Sequence, residues 1–175
     1  MKFILALLLL SSSLYAQDQS AEARAAAGCG PDKILFDVKT DKHQHPLEKP
    51  EPGKAIVYVI DEPEPTICIG GCDTFRIGLD GNWMSANQGK SYSYFFVMPG
   101  DHNLCIDIQP RALVNSKLGS AVSFTAEPGK AYYFVVRMRE KEKRTDTRLV
   151  VEPVDNAEGP LLIARAALSN AQQKK

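Results

Sequence analysis

The 175-residue chain lacks an apolar run long enough to cross a bilayer and an excess of either charge, and it has few cysteines and histidines. A span takes roughly 20 apolar residues to cover about 30 Å of hydrocarbon, and no stretch reaches that. Lys and Arg total 21 and Asp and Glu total 21. Nucleic-acid binding rests on clustered basic residues, so this balance argues against such a partner. The run at 137–144 is mixed in sign and reads as a solvated hairpin tip. No nucleophile-elbow sequence is present, and Gly119-Ser120 is not one. Neither a helix signal nor a Lys-Ser/Thr follows Gly70-Gly71, so it is no phosphate loop. The expectation is a non-enzyme that binds no cofactor and no metal.

The N-terminus carries the clearest signal. Met1-Lys2 gives a positive start, 3–10 is a short apolar core, and Leu14-Tyr15-Ala16 places a small residue at a cleavage site. This order of charge, apolar core and small residue is that of a secretory signal peptide. Cleavage is expected after Ala16, leaving a periplasmic or secreted chain of residues 17–175 with no transmembrane span. No cysteine lies at the cut to carry a lipid.

The four cysteines, Cys29, Cys68, Cys72 and Cys105, all lie in that exported part. In an oxidising compartment an even count implies a disulfide framework, here with three connectivities open. Cys68 and Cys72 close a tight loop across Gly70-Gly71 and leave Cys29 for Cys105, or one of them bridges to Cys105. Zinc prefers two closely spaced pairs, and only one is present. A redox pair of the Cys-x-x-Cys kind sits at a helix start, whereas Cys68 and Cys72 sit among Pro and Gly.

The body of the chain is strand-like. After an extension and linker at 17–50, with a short strand at 34–38 and a proline-marked stretch at 40–52, the region 51–153 holds the domain. Residues 55–60 form a β-branched and aromatic central strand. Phe75, Ile77 and Leu79 alternate onto one face, as do Leu104, Ile106 and Ile108. Asp80-Gly81 is a two-residue hairpin signal. Further strands are expected at 91–98, 121–126 and 131–138, with 148–152 pairing back on the last. The segment 154–175 holds one short helix, expected over 161–171. Regular strands with Pro-Gly and Asp-Gly punctuation predict an all-β, antiparallel β-sandwich of Ig-like or PEGA-like kind. One echo stands out: Glu51-Pro52-Gly53-Lys54-Ala55 recurs unchanged as Glu127-Pro128-Gly129-Lys130-Ala131.

Four motifs in order, Pro52-Gly53-Lys54-Ala55-Ile56-Val57-Tyr58, Arg76-Ile77-Gly78-Leu79-Asp80-Gly81, Met98-Pro99-Gly100-Asp101-His102 and Pro128-Gly129-Lys130-Ala131-Tyr132-Tyr133-Phe134, resemble the bacterial envelope family called domain of unknown function 2846. The middle section is also similar to PEGA modules. The resemblance covers residues 51–153 and implies an exported β-sandwich. It transfers no catalytic residue. Many members of that family look like lipoproteins, and this chain departs from them in lacking the lipid-bearing cysteine.

Two residue groups invite a site. His43 and His45 have the chemistry to share a metal, with His102 or an acid completing the set, but His43 and His45 sit in a proline-flanked loop that fixes neither. Trp83, Tyr92 and Tyr94, with Tyr58, offer stacking surface for a sugar ring or a partner strand. Trp is highly buried on average, and capping the core is the favoured role for Trp83. The leading expectation is a non-enzymatic envelope module that binds or supports a protein or a surface glycan, through loops or an open sheet edge. Alternatives are a thiol-redox or thiol-sensing protein using Cys68 and Cys72, and an unrecognised hydrolase.

Overall fold

The protein is described here from a computed structural model that covers residues 29–31, 33–62, 73–110, 119–140 and 147–174. Among the described residues ten strands form two sheets with one short helix. The strands are β1 (Phe36–Asp41), β2 (Ala55–Asp61), β3 (Thr74–Leu79), β4 (Asn82–Gln88), β5 (Ser91–Val97), β6 (Gly100–Ile108), β7 (Gly119–Ala126), β8 (Ala131–Glu140), β9 (Thr147–Val154) and β10 (Ala167–Gln173), and helix α1 is Glu158–Ile163. The first sheet runs β1-β10-β5-β2-β8-β9 and the second β4-β3-β6-β7. The six-stranded sheet draws on residues either side of 51–153, because β1 pairs with β10 and β10 with β5.

The all-β sandwich holds, with two departures. The four-stranded sheet is antiparallel throughout. The six-stranded sheet is mixed, since β2 runs parallel to β8 and β10 parallel to β5. The helix expected over 161–171 is instead α1, and the chain from Ala167 onward is strand. Asp155 Oδ1 accepts the amides of Ala157 and Glu158 and starts the helix. The Ala- and Gln-rich segment beyond it has helix propensity, but it is captured between two strands, and tertiary pairing overrides so weak a preference.

The repeated pentapeptide has a structural meaning. Gly53 and Gly129 adopt φ of 77° and 75°, and each turn closes with the same bond, Lys54 N to Glu51 O and Lys130 N to Glu127 O. Only glycine takes such φ without penalty. The two copies lie side by side, Gly129 N donating to Lys54 O, and deliver β2 and β8 as a parallel pair. Asp80-Gly81 forms the expected hairpin turn, with φ of 50° and 82°, both positive as a type I′ turn requires.

The core fills the space between the sheets. Ala55, Val57 and Val59 from β2 meet Phe75, Ile77 and Leu79 from β3 and Leu104, Ile106 and Ile108 from β6. The alternate residues of β2, Ile56, Tyr58 and Ile60, face the other side. They are covered by Ile163 of α1 and by the extended segment 42–50, whose Glu48 and Pro46 carbonyls accept the Tyr58 and Tyr92 hydroxyls. Burial pushes the Tyr92 phenol up to about 12, helped by the nearby Tyr94 and Glu48. Residues 29–31 and 33–35 cover the outer side of the smaller sheet. Cys29 is disulfide-bonded to Cys105 with Cα atoms 5.1 Å apart, well within bridging range. Arg76, 2% exposed, ties this cover down: it donates to Ile34 O and Asp107 Oδ2, and its guanidinium lies 4.3 Å from the Trp83 ring centroid.

Candidate functional site

The two ends of the sandwich differ in chemistry. At one end sit the tight turns at Pro52-Gly53, Asp80-Gly81, Pro99-Gly100 and Pro128-Gly129, over an apolar interior of Ala55, Leu79, Val97 and Leu104. The strand ends that flank 63–72, 111–118 and 141–146 all lie at the other end. The buried polar residues gather there: Asp61, Thr74, Arg76, Asn87, Ser91, Ser93, Gln109 and Ser169. Within β5 the inward face runs Ser91, Ser93, Phe95, Val97, from polar to apolar. Burying polar groups costs free energy unless they are hydrogen-bonded, so a core that only had to be stable would not collect them.

Most of these groups are joined. Ser169 Oγ donates to Ser91 Oγ at 2.8 Å, which accepts Gln88 N at 3.0 Å, and Gln88 Nε2 donates to Thr74 Oγ1 at 3.1 Å. Gln109 does something different. Its Oε1 accepts Phe36 N at 2.6 Å and its Nε2 donates to Phe36 O at 3.1 Å. A side-chain amide thus bonds the outward peptide groups of an edge strand as a neighbouring strand would. By alternation, Asp37, Lys39 and Asp41 face β10, while Val38 and Thr40 turn their N–H and C=O groups outward like Phe36. No strand among the described residues pairs with that side.

An open pocket of about 370 Å³ adjoins this edge, lined by Phe36, Val38, Thr74, Gln88, Gln109 and Lys174 among others. Lys174 Nζ is held 3.0 Å from Asp37. The lining is therefore amide, hydroxyl and peptide groups, with its charge paired.

The aromatics proposed from the sequence are not one surface. Trp83 is 8% exposed, donates Nε1 to Pro31 O, and packs with Phe36 and Ala86. Tyr92 is fully buried on the opposite sheet, and half-buried Tyr94 lies 5.6 Å from the Tyr58 ring. Trp83 is buried, but in a small cluster under the N-terminal cover rather than against the core between the sheets. The histidines are also apart. His45 Nδ1 and Nε2 lie against Ile163 O and Lys42 O, and His102 lies against Asp80 and Met98 O. Among the described residues no group of three His, Cys, Asp or Glu side chains is placed to hold a metal ion. The Cys29–Cys105 bridge realises one connectivity left open and excludes a bridge from Cys68 or Cys72 to Cys105. Cys68 and Cys72 themselves lie outside the described residues.

Gln109, Asp61 and Asn87 were not singled out from the sequence. The only local signal was their polarity at the ends of apolar strands. Among the described residues no helix is long and apolar enough to cross a membrane. No protein-family model matches the chain, and no curated protein and no solved structure is significantly similar to it.

Proposed function

We propose that this is an exported, non-enzymatic module of the cell envelope that binds another protein by accepting an extended segment along the outer edge of β1. The observation that carries the reading is the Gln109 amide seated on the Phe36 peptide groups. It occupies the first step of a strand-addition site, and the steps at Val38 and Thr40 continue it. Main-chain bonds give affinity in such docking and adjacent pockets give specificity. The polar pocket lies beside the edge in the position for that second task. A protein segment fits better than a surface glycan, because a sugar ring wants an exposed aromatic platform and Trp83 and Tyr92 are buried.

The signal peptide ending at Ala16 and the resemblance to the domain of unknown function 2846 family belong to this proposal, and the Cys29–Cys105 bridge supports an oxidising compartment. The test is photo-crosslinking in exporting cells from a benzophenone amino acid at Lys39, on β1, and at Met98, at the turn end. The expected result is a defined protein adduct from Lys39 only, lost when Val38→Pro removes the outward amide. Proline is tolerated on a strand edge whose N–H faces solvent, so the variant folds. Equal adducts from both positions, or an adduct insensitive to Val38→Pro, would sink the reading.

A further inference from the structure

Among the described residues, three side-chain oxygens at the polar end are fully buried and have no hydrogen-bond partner: Asp61 Oδ2, Asn87 Oδ1 and Ser93 Oγ. Their residues are 1%, 0% and 3% exposed. Asp61 is the inward residue after Val57 and Val59 on β2, and Ser93 lies opposite Val59 on β5. Asn87 reaches the same place from β4. Its Nδ2 donates to Val59 O at 2.9 Å and lies 3.5 Å from Asp61 Oδ1, which fixes the amide orientation and leaves Oδ1 unmatched. The three side chains therefore gather at the end of β2 from three different strands.

Among the described residues the neighbours are neutral. Val136 of β8 pairs with Asp61, Ser91 stands at the start of β5, and Asn87 is an amide. Arg76 of β3 points to the outer side of its sheet, toward Ile34 and Trp83. A carboxylate buried without a counter-charge is costly, and burial raises the Asp61 pKa well above its ordinary value, opposed among the described residues by the Asn87 hydrogen bond.

We propose that this end of the sandwich binds a single monovalent alkali cation, with the Asp61 carboxylate as counter-charge and Asn87 Oδ1 and Ser93 Oγ as neutral ligands. An all-oxygen set selects a hard cation. The charge count selects a monovalent one, since one carboxylate neutralises one positive charge and a divalent ion would leave a buried charge unpaired. The inference stands apart from strand addition on β1 and survives its failure.

The test is thermal unfolding in sodium, potassium or choline chloride at matched ionic strength. Choline is too large for the site and controls for screening. Above the dissociation constant, a tenfold rise in sodium or potassium should raise Tm by about 3–6 °C, while choline should not. Asp61→Asn keeps the shape without the charge and should unfold at the same temperature in all three salts. Sodium-23 line broadening by the wild-type protein, absent with Asp61→Asn, gives a second readout independent of stability. A wild-type Tm that is the same in choline as in sodium and potassium, with no line broadening, would show that a proton or a water satisfies Asp61 and would overturn the proposal. Retention of the full cation effect in Asp61→Asn would overturn it equally.

Discussion

Removing the Cys29–Cys105 bridge should cost the protein a large share of its stability margin. The bridge spans a sequence separation of 76. In the chain-entropy model, opening a loop of that size costs about 4–5 kcal/mol, while measured native bridges commonly give about 2–5 kcal/mol. Whole domains are stable by only about 5–15 kcal/mol. The location adds to this, because Cys105 is 3% exposed and Cys29 packs beside Phe36, Trp83 and Ala86 under the N-terminal cover. A Cys29→Ala/Cys105→Ala double variant avoids leaving a lone buried thiol, and it isolates this bridge from any chemistry at Cys68 and Cys72. At roughly 2–4 °C per kcal/mol for a chain of this size, the chain-entropy cost corresponds to a fall in Tm of about 8–20 °C. Differential scanning calorimetry of the two proteins measures it. A fall of less than about 2 °C would refute the reasoning, since the unfolded chain would then gain little freedom from losing the bridge.

Other expectations follow from single contacts. Gly159→Ala should destabilise by about 1–3 kcal/mol in urea unfolding, because an added Cβ would run into the Tyr133 ring and overpacking costs that much. Helix propensity alone predicts the opposite sign, about 1 kcal/mol of stabilisation, so a stabilised variant would contradict the packing. Gln109→Leu should cost about 1–3 kcal/mol by leaving the Phe36 peptide groups without their partner, and equal stability would contradict the bonding. His102 should make stability depend on pH. Burial lowers its pKa, but the Asp80 and Met98 hydrogen bonds and the charges of Asp80 and Asp101 outweigh it, so the folded value is raised. The stabilisation is therefore full below the unfolded value of about 6.5 and is lost as pH rises through the folded value. The difference in Tm between wild type and His102→Gln should shrink over that window, and a difference that grew with pH would contradict the sign.

The sequence showed the parts of the fold that local pattern controls. Strands β3 and β6 were legible because Phe75 and Ile77, and Leu104 and Ile106, repeat with period two, β2 and β8 because each is a continuous β-branched and aromatic run, and the turns because Gly53, Gly81 and Gly129 need positive φ. Less was legible where distant partners decide. Strand β10 has a helix-forming composition and becomes strand only because β1 and β5 flank it. The echo of Glu51–Ala55 at Glu127–Ala131 was visible, but not that the copies stand in parallel. Gln109 looked like an ordinary polar residue after a strand, since its partner Phe36 is 73 residues away. The gathering of Asp61, Asn87 and Ser93 depends on three strands that meet only in the folded sandwich.

Amide hydrogen exchange along β1, followed by NMR on the isolated protein, tests the central claim that this edge is open beyond Gln109. The amides of Asp37 and Lys39 should be protected by β10, and that of Phe36 by the Gln109 side chain, while those of Val38 and Thr40 exchange fast. Protection of Val38 and Thr40 equal to that of Lys39 would mean that the edge is already occupied, and strand addition on β1 would have to be abandoned.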